Sequence, residues 1–152
     1  GPKLKIDYTQ YNSVAQPNRL AFIDSSLFAP TMLLQDYFTF VLTELDGEYV
    51  GNASFDVAGV SRRNWHRADV GIALYQKYTG MGIGKKLFAV LLEIIEQCGF
   101  ETAELTVVDG NEPAIHMYKS FGFVEVGRIP GANKYDDGSY ADNIFMIKRM
   151  RL

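Results

Sequence analysis

The stretch YTGMGIGKKLF, residues 78 to 88, constrains the fold more than any other part of the sequence. Three glycines stand at alternate positions, Gly80, Gly82 and Gly84, between an apolar segment and a helical pattern. Glycine inside a helix or a strand is less favourable than alanine by about 0.5–1 kcal/mol. The run therefore indicates a turn from a strand into a helix, whose backbone N–H groups can bind an anion at the helix N-terminus.

Two common nucleotide-binding motifs fail at this turn. A P-loop needs G-x-x-x-x-G-K-[ST], but here the leading position is Thr79 and the last is Lys86. The dinucleotide pattern G-x-G-x-x-G fails too, because it closes on Lys85 or on Leu87 instead of glycine. A diphosphate remains a sensible ligand. From these residues alone, a flexible turn without a ligand stays open as the alternative.

Runs rich in aromatic and β-branched residues predict seven strands along the chain. They cover residues 3–8, 37–45, 48–57, 68–75, 102–108, 123–129 and 140–150. Asp46-Gly47 and Asp137-Gly138 each separate two such runs and predict hairpin turns. The polar, basic stretch 61–67 is predicted to be a connecting loop. From Thr9 to Gln35 the pattern is weak and predicts short helices and loops, with Pro17 and Pro30 as breakers.

Two helices are predicted in the second half of the chain. Apolar residues recur at helical spacing from Leu87 to Ile95, and Gly99 closes that helix. The second helix covers residues 112–121. This order of elements predicts an α/β (α+β) sheet with mixed strand directions, in which the two helices act as crossovers.

Composition limits the class of protein. The 152 residues are 47% hydrophobic and 22% charged, without a dividing linker, so we expect a single domain over residues 1–152. The net charge of −3 argues against a general nucleic-acid binder. The single cysteine, Cys98, excludes an intramolecular disulfide. No apolar run approaches the roughly 20 residues that span a bilayer, and no leader peptide is recognisable. We therefore expect a cytoplasmic protein with no membrane partner.

A second motif, VVDGNEPAIHMYKSFGF at residues 107–123, follows a predicted strand. Asn111 stands where an N-cap is expected, and Pro113 is tolerated in a first turn. Tyr118 is four residues after Ala114, so these two side chains share one helix face. Taken one at a time, Asn111 reads as a helix cap and Tyr118 as an aromatic packed on the sheet.

Taken together, IALYQKYTGMGIGKKL and NEPAIHMYKSFGF resemble the GNAT superfamily of N-acetyltransferases in order and spacing. The resemblance covers roughly residues 37 to 150, while residues 1–36 match weakly. It implies a mostly antiparallel central sheet, flanked by helices, in which strand 68–75 splays from strand 102–108. The family's loop pattern falls on Thr79, Gly82 and Gly84. Thr79 departs from the usual Gln or Arg, which puts one supporting contact in doubt.

The resemblance also implies a co-substrate, acetyl-CoA. Its pyrophosphate would lie on the loop backbone, and its pantetheine arm would pair with main-chain groups of Ile72 and Leu74 like an added strand. Asn111 would contact the pantetheine, and Lys119, or Lys85 and Lys86, would meet the adenosine phosphates. The expected cofactor-binding residues are Ile72, Leu74, Thr79, Gly80, Met81, Gly82, Ile83, Gly84, Asn111 and Lys119.

The implied reaction is direct transfer of the acetyl group to an amine, with no acyl-enzyme. In the family's pattern Tyr118 protonates the leaving thiolate. An attacking amine must be neutral and so needs a base or a water path. Asp69 is the preferred base, Glu104 and His66 are further candidates, and a plain polar role for Asp69 stays open. Cys98 stands at a helix C-terminus without an adjacent base and is assigned a structural role.

Several functional features remain open at the level of sequence. The acceptor is a primary amine, either on a small molecule such as an amino acid or polyamine or at a protein N-terminus. A homodimer is also left open. His66 and His116 have no partners at metal-ligand spacing, so no metal is expected. The alternative function is a non-catalytic CoA-binding sensor or partner-binding domain on the same fold.

Overall fold

The computed structural model describes residues 4–12, 20–22, 37–59, 61–74, 80 and 82–150 of the chain. Within these residues there are eight strands, two α-helices and a single 3₁₀ turn. The strands are β1 (Leu4–Asn12), β2 (Leu20–Phe22), β3 (Tyr37–Leu45), β4 (Glu48–Val57), β5 (Arg67–Leu74), β6 (Thr102–Val108), β7 (Val124–Lys134) and β8 (Tyr140–Arg149). The helices are α1 (Ile83–Gln97) and α2 (Glu112–Ser120), and the 3₁₀ turn is Arg62–Asn64.

The described strands form one sheet in the order β2-β1-β3-β4-β5-β6-β8-β7. β5 and β6 are parallel, and the other neighbouring pairs among the described strands are antiparallel. A parallel pair needs a long crossover connection, and α1 supplies it between β5 and β6. The mixed, mostly antiparallel α/β sheet that the sequence predicts is therefore confirmed.

Local turn chemistry accounts for both predicted hairpins. Asp46 and Gly47 join β3 to β4 with φ of 51° and 84°. Two central residues with positive φ suit the right-handed twist of the flanking strands. Asp137 and Gly138 lie between β7 and β8, where the Ser139 N–H donates to Asp137 Oδ1 at 2.9 Å. Both turn predictions are confirmed.

Helix α1 supplies much of the core. Its buried side chains are Ile83, Leu87, Phe88, Leu91, Leu92, Ile94 and Ile95. They recur three and four residues apart and so form one stripe, which packs on the buried side of the sheet. The helix ends before Gly99, whose φ of +86° is the left-handed conformation that closes many helices. Among the described residues, no helix is both long and apolar enough to cross a membrane.

Strands β5 and β6 stay paired over a short distance only. Their pairing begins at Arg67 and ends at Asp69 on β5. Beyond Asp69, β5 continues to Leu74 beside β4, while β6 continues to Val108 beside β8. The two strands therefore splay and leave an opening, which we call the β5–β6 gap.

The N-terminal part of the chain differs from the prediction. Short helices and loops are expected from Thr9 to Gln35, but β1 extends to Asn12 and β2 occupies Leu20–Phe22. β1 pairs with β3 along all nine of its residues, and this non-local pairing outweighs a weak local pattern. Pro17 and Pro30 lie outside the described residues. β7 also runs past the predicted end at residue 129, because its pairing with β8 resumes at Asn133 after an irregularity.

Candidate active site

A cleft of about 520 Å³ lies between the end of β5, the start of α1 and one side of α2. It brings together residues that are far apart in the sequence. The predicted site residues that line it are Ile72, Leu74, Gly80, Gly82, Gly84, Asn111 and Tyr118. Thr79 and Met81 lie outside the described residues.

The glycine turn, residues Gly80 to Gly84, has a backbone that other residues rarely adopt. Gly80 has φ of +80° and Gly82 has φ of +77°. A Cβ added at either position would meet no described protein atom within 4 Å, so the space beside them is open toward the cleft. Gly82 is the N-cap of α1, and the first N–H groups of a helix have no intrahelical partner. The turn therefore offers bare backbone donors to a ligand.

Gly84 is a glycine for a different reason. It lies in the first turn of α1, and a Cβ there would stand 2.9 Å from Leu74 Cδ1. The absence of a side chain lets the helix approach the end of β5. Ile83 precedes it, is buried in the core and does not line the cleft. The three glycines thus serve two needs, left-handed turns at Gly80 and Gly82 and close packing at Gly84.

The charge of the cleft suits an anion. Lys85 lines it beside the N-terminus of α1, whose dipole also favours negative charge. Among the described lining residues none is Asp or Glu, although the whole chain carries a net charge of −3. Lys119 is exposed on α2 and does not line the cleft. Of the lysines that the structure describes, Lys85 is the one that lines the cleft beside the glycine turn.

Asn111 combines two roles. It is the N-cap of α2, where its side-chain oxygen accepts from the Ala114 N–H at 3.4 Å. Gly110, with φ of +101°, turns the chain immediately before it. Asn111 also lines the cleft, so capping fixes a polar side chain at its wall.

Tyr118 lies on α2, where it packs in the hydrophobic core and also lines the cleft. The residue is 7% exposed, and its ring centroid is 5.2 Å from that of Phe88 on α1. Burial raises the pKa of the phenol, so it stays protonated at neutral pH. A protonated phenol beside a ligand cleft is equipped to donate a proton.

Asp69 lies on the opposite face of the sheet. Its neighbours Ala68 and Val70 are buried on the face that α1 covers, and side chains alternate along a strand. A second cavity, of about 440 Å³, lies on this opposite face. Its lining residues are Arg67, Asp69, Glu104, Leu105, Thr106, Val126, Phe145, Met146 and Ile147. The structure therefore separates the two predicted catalytic residues, Tyr118 and Asp69, across the sheet at the β5–β6 gap.

The surroundings of Asp69 raise its pKa above the usual value of 3.8. Partial burial is the largest cause, followed by the negative charges of Asp56 and Glu104. Asp56 is its register partner on β4, and Glu104 is its partner on β6. A carboxylate with a raised pKa is a stronger base than an ordinary aspartate.

An ion pair that the sequence does not reveal closes the narrow end of the gap. The Arg67 guanidinium donates two hydrogen bonds to the Glu104 carboxylate, at 2.8 and 2.7 Å. Glu104, a candidate base, is thereby engaged with a cation. His66, the other candidate, is exposed, and its carbonyl accepts from the Glu101 and Thr102 N–H groups. The register of β5 on β6 brings Arg67 close to Glu104, and the sequence alone does not show that register.

The remaining nucleophile and metal candidates are easily placed. Burial raises the pKa of the Cys98 thiol to about 11, so the thiolate is scarce at neutral pH. The residue caps the C-terminus of α1, away from the helix N-terminus that stabilises a thiolate. Among the described residues, no group of three or more His, Cys, Asp or Glu side chains could hold a metal ion.

Two known structures share this architecture. A ribosomal-protein-alanine N-acetyltransferase from Brucella melitensis superposes with a TM-score of 0.69 at 26% identity, covering 74% of this chain and 69% of that one. An acetyltransferase from Salmonella typhimurium, solved with its cofactor acetyl-CoA, gives a TM-score of 0.70 at 21% identity. That superposition covers 75% of this chain and 65% of the other, and it supports the fold.

Sequence comparison agrees with the fold. The L-amino acid N-acetyltransferase AaaT of Escherichia coli is 34% identical over an alignment of 111 residues that covers 68% of this chain. The chain spans 64% of that relative's length, which is less than two thirds. A model of the acetyltransferase (GNAT) family matches residues 6–123, more than half of the chain. The protein therefore belongs to the acetyltransferase (GNAT) family.

Proposed function

We propose that the protein transfers an acetyl group from acetyl-CoA directly to a primary amine. The observation that carries this proposal is the β5–β6 gap, which has a phenol on one face and a carboxylate on the other. Tyr118 lines the cleft on the first face, and Asp69 lines the cavity on the second. Family membership and the acetyl-CoA in the Salmonella typhimurium neighbour support the same reading.

The cleft suits the co-substrate in three ways. The backbone at Gly80, Gly82 and Gly84 binds the pyrophosphate, and Lys85 adds a positive charge beside it. Main-chain groups of Ile72 and Leu74 pair with the pantetheine arm along the part of β5 that β6 leaves free. Asn111 contacts the arm from α2. Thr79, Met81 and Lys119 are assigned to the same ligand on the family resemblance alone.

The chain's own residues then move two protons. The amine nitrogen attacks the thioester carbonyl carbon while the carbon–sulfur bond breaks. Asp69 takes the proton that the amine loses, and Tyr118 gives its phenolic proton to the leaving thiolate. A backbone N–H in the gap can polarise the carbonyl as negative charge develops on its oxygen.

The names of the relatives support the proposed acceptor class. AaaT of Escherichia coli is named as an L-amino acid N-acetyltransferase, and the Brucella melitensis neighbour as a ribosomal-protein-alanine N-acetyltransferase. We therefore assign a primary amine of a small molecule, such as an amino acid, or of a protein N-terminus. We place the reaction in the cytoplasm, whose reducing conditions suit a chain with one cysteine.

A combined binding and turnover experiment tests the proposal. Calorimetry measures acetyl-CoA binding, and a thiol-release assay with mass spectrometry follows acetylation across a panel of primary amines. We expect saturable binding and release of one CoA thiol per acetylated amine. Tight binding without turnover on any amine would favour the non-catalytic CoA-binding alternative.

A further inference from the structure

The cavity on the Asp69 face has one polar end and one apolar wall. Arg67, Asp69 and Glu104 form the polar end. The apolar wall comes from β7 and β8, on the far side of β6, and includes Val126 and Phe145. The polar end and the apolar wall therefore lie on different strands. A ligand that fills the cavity must have a polar group for the one and an apolar group for the other.

In the proposed reaction the acceptor approaches the thioester from this face. The proposed co-substrate cleft lies on the other face, between the end of β5, α1 and α2. Asp69 and Glu104 are the last paired residues before β5 leaves β6, and both line the second cavity. The second cavity therefore begins where the gap opens.

The polar end favours a cation. The Glu104 carboxylate is occupied by the two hydrogen bonds from the Arg67 guanidinium. With Arg67 at +1 and Glu104 and Asp69 at −1 each, the three ionised side chains sum to −1. Asp56 adds a further negative charge beside Asp69 from β4. An ammonium group fits this end; it loses one proton to water before it attacks, and the neutral amine loses its second proton to Asp69 as the amide forms.

The apolar wall has a distinct origin. Val126 lies at an irregularity of β7, where pairing skips from Glu125 to Gly127, and it is 63% exposed. Phe145 lies on β8 opposite Gly127 and is 36% exposed. Two large apolar side chains that line one cavity offer a surface for an apolar group.

We infer that the acceptor is a primary amine carried by an apolar group of about the size of a leucine or phenylalanine side chain, and that Val126 and Phe145 select it. This inference rests on the proposed function, because it assigns the acceptor of that same reaction. It excludes polyamines, whose second cation would have to lie against the apolar wall.

Amino-acid amides provide the test, since they keep the amine and vary only the side chain. We would measure kcat/KM for glycinamide, leucinamide, phenylalaninamide and a diamine. We expect leucinamide and phenylalaninamide to exceed glycinamide by at least tenfold, within the range that a hydrophobic pocket supplies. The diamine is expected to be the poorest acceptor.

Matched variants locate the selectivity. Val126→Thr keeps the shape of the side chain and adds a hydroxyl, and Phe145→Thr removes the ring from a strand position that tolerates threonine. Both are expected to reduce the leucinamide-to-glycinamide ratio several-fold while glycinamide turnover stays measurable. Val124→Thr changes an exposed residue of the same strand that does not line the cavity, and it should leave the ratio unchanged.

The outcomes separate the two claims. Equal kcat/KM for glycinamide and leucinamide, or a preference for the diamine, would overturn the inference and leave the acetyltransferase proposal standing. An unchanged ratio in both Val126→Thr and Phe145→Thr would overturn the role of these residues. Absence of thiol release with every amine would overturn the proposed function, and the inference with it.

Discussion

At the scale of single residues, the acid and the base of the proposed reaction are tuned by different surroundings. Tyr118 is enclosed by the aromatic side chains of the core, which keeps its phenol protonated. Asp69 is flanked by two other carboxylates, which make it more basic. Both pKa values are raised: the shift at Asp69 strengthens a base, whereas the shift at Tyr118 keeps the phenol protonated without making it a stronger acid.

Replacing Tyr118 with Phe removes the hydroxyl and keeps the ring that packs on Phe88. We expect kcat to fall by about 10²-fold, the lower end of general-acid effects, because a CoA thiolate is a fairly good leaving group. Acetyl-CoA affinity should change little, since the lost interaction forms mainly in the transition state. Steady-state kinetics and calorimetry measure the two quantities, and Tyr135→Phe on the surface is the control. Wild-type kcat with chemistry rate-limiting would make Tyr118 a packing residue.

Asp69→Asn removes the proposed base. The carboxylate is the active form, so the wild-type rate should fall as the pH drops through the raised pKa of Asp69. In the variant, kcat/KM should fall by about 10²-fold and this acidic limb should disappear. A variant that retains both the rate and the limb would assign the base elsewhere.

Asp56→Asn provides the matched control for Asp69. It removes a negative charge that raises the pKa of Asp69 without touching the second cavity. We expect the acidic limb to shift to lower pH while the maximal rate is kept.

The raised pKa of Asp69 also affects stability. The folded state binds more protons than the unfolded state from pH 3.8 up to that pKa, so wild-type stability falls as pH rises across this window. Asp69→Asn should therefore raise the melting temperature at pH 7.

At the scale of elements, the glycine turn needs positive φ angles at Gly80 and Gly82 and has open space beside both residues. Gly82→Val would place a β-branched residue at φ of +77°, where strain obscures any loss of ligand binding. Asparagine tolerates this conformation better. Gly82→Asn should therefore fold and still place a side chain in the space beside the turn, lowering acetyl-CoA affinity at least tenfold.

Gly99→Asn is the control for Gly82→Asn. Gly99 has φ of +86°, a Cβ there also meets no described atom within 4 Å, and it lies at the other end of α1. The two variants share the backbone demand and differ in their distance from the cleft. Calorimetry should find the affinity changed in the first and kept in the second. Unchanged affinity in a folded Gly82→Asn protein would contradict the role of the turn in binding pyrophosphate.

Elements with local signals are the ones that the sequence predicts well. The strand at 102–108 and the Asp46-Gly47 hairpin match the structure because turn residues and apolar pattern are local. The short strand β2 and the far end of β7 have no local strand pattern of their own, and they form by pairing with β1 and β8. In the site, the glycine turn is a local motif. The juxtaposition of Asp56, Asp69 and the Arg67–Glu104 pair depends on the register of three strands, which the sequence leaves undetermined.

At the scale of the whole molecule, the β5–β6 gap divides the described sheet into two parts. β2, β1, β3, β4 and β5 lie on one side, and β6, β8 and β7 on the other. Across the sheet they are joined at the narrow end of the gap by the short β5–β6 pairing and the Arg67–Glu104 ion pair. A ligand in the gap adds contacts where the sheet itself has none.

Hydrogen exchange with and without acetyl-CoA tests this arrangement. In an antiparallel pair, alternate N–H groups of β5 point to β4, and the others beyond Asp69 point into the gap. Pantetheine pairing should slow the exchange of those amides between Val70 and Leu74 and of the amides at the start of α1. At a ligand concentration 100 times Kd, binding also stabilises the folded state by about 2.7 kcal/mol, which slows exchange that needs global unfolding. Slowing at β5 beyond that uniform change, with none at the β7–β8 turn, is the expected signature. Slowing centred on β8 instead would place the co-substrate outside the gap.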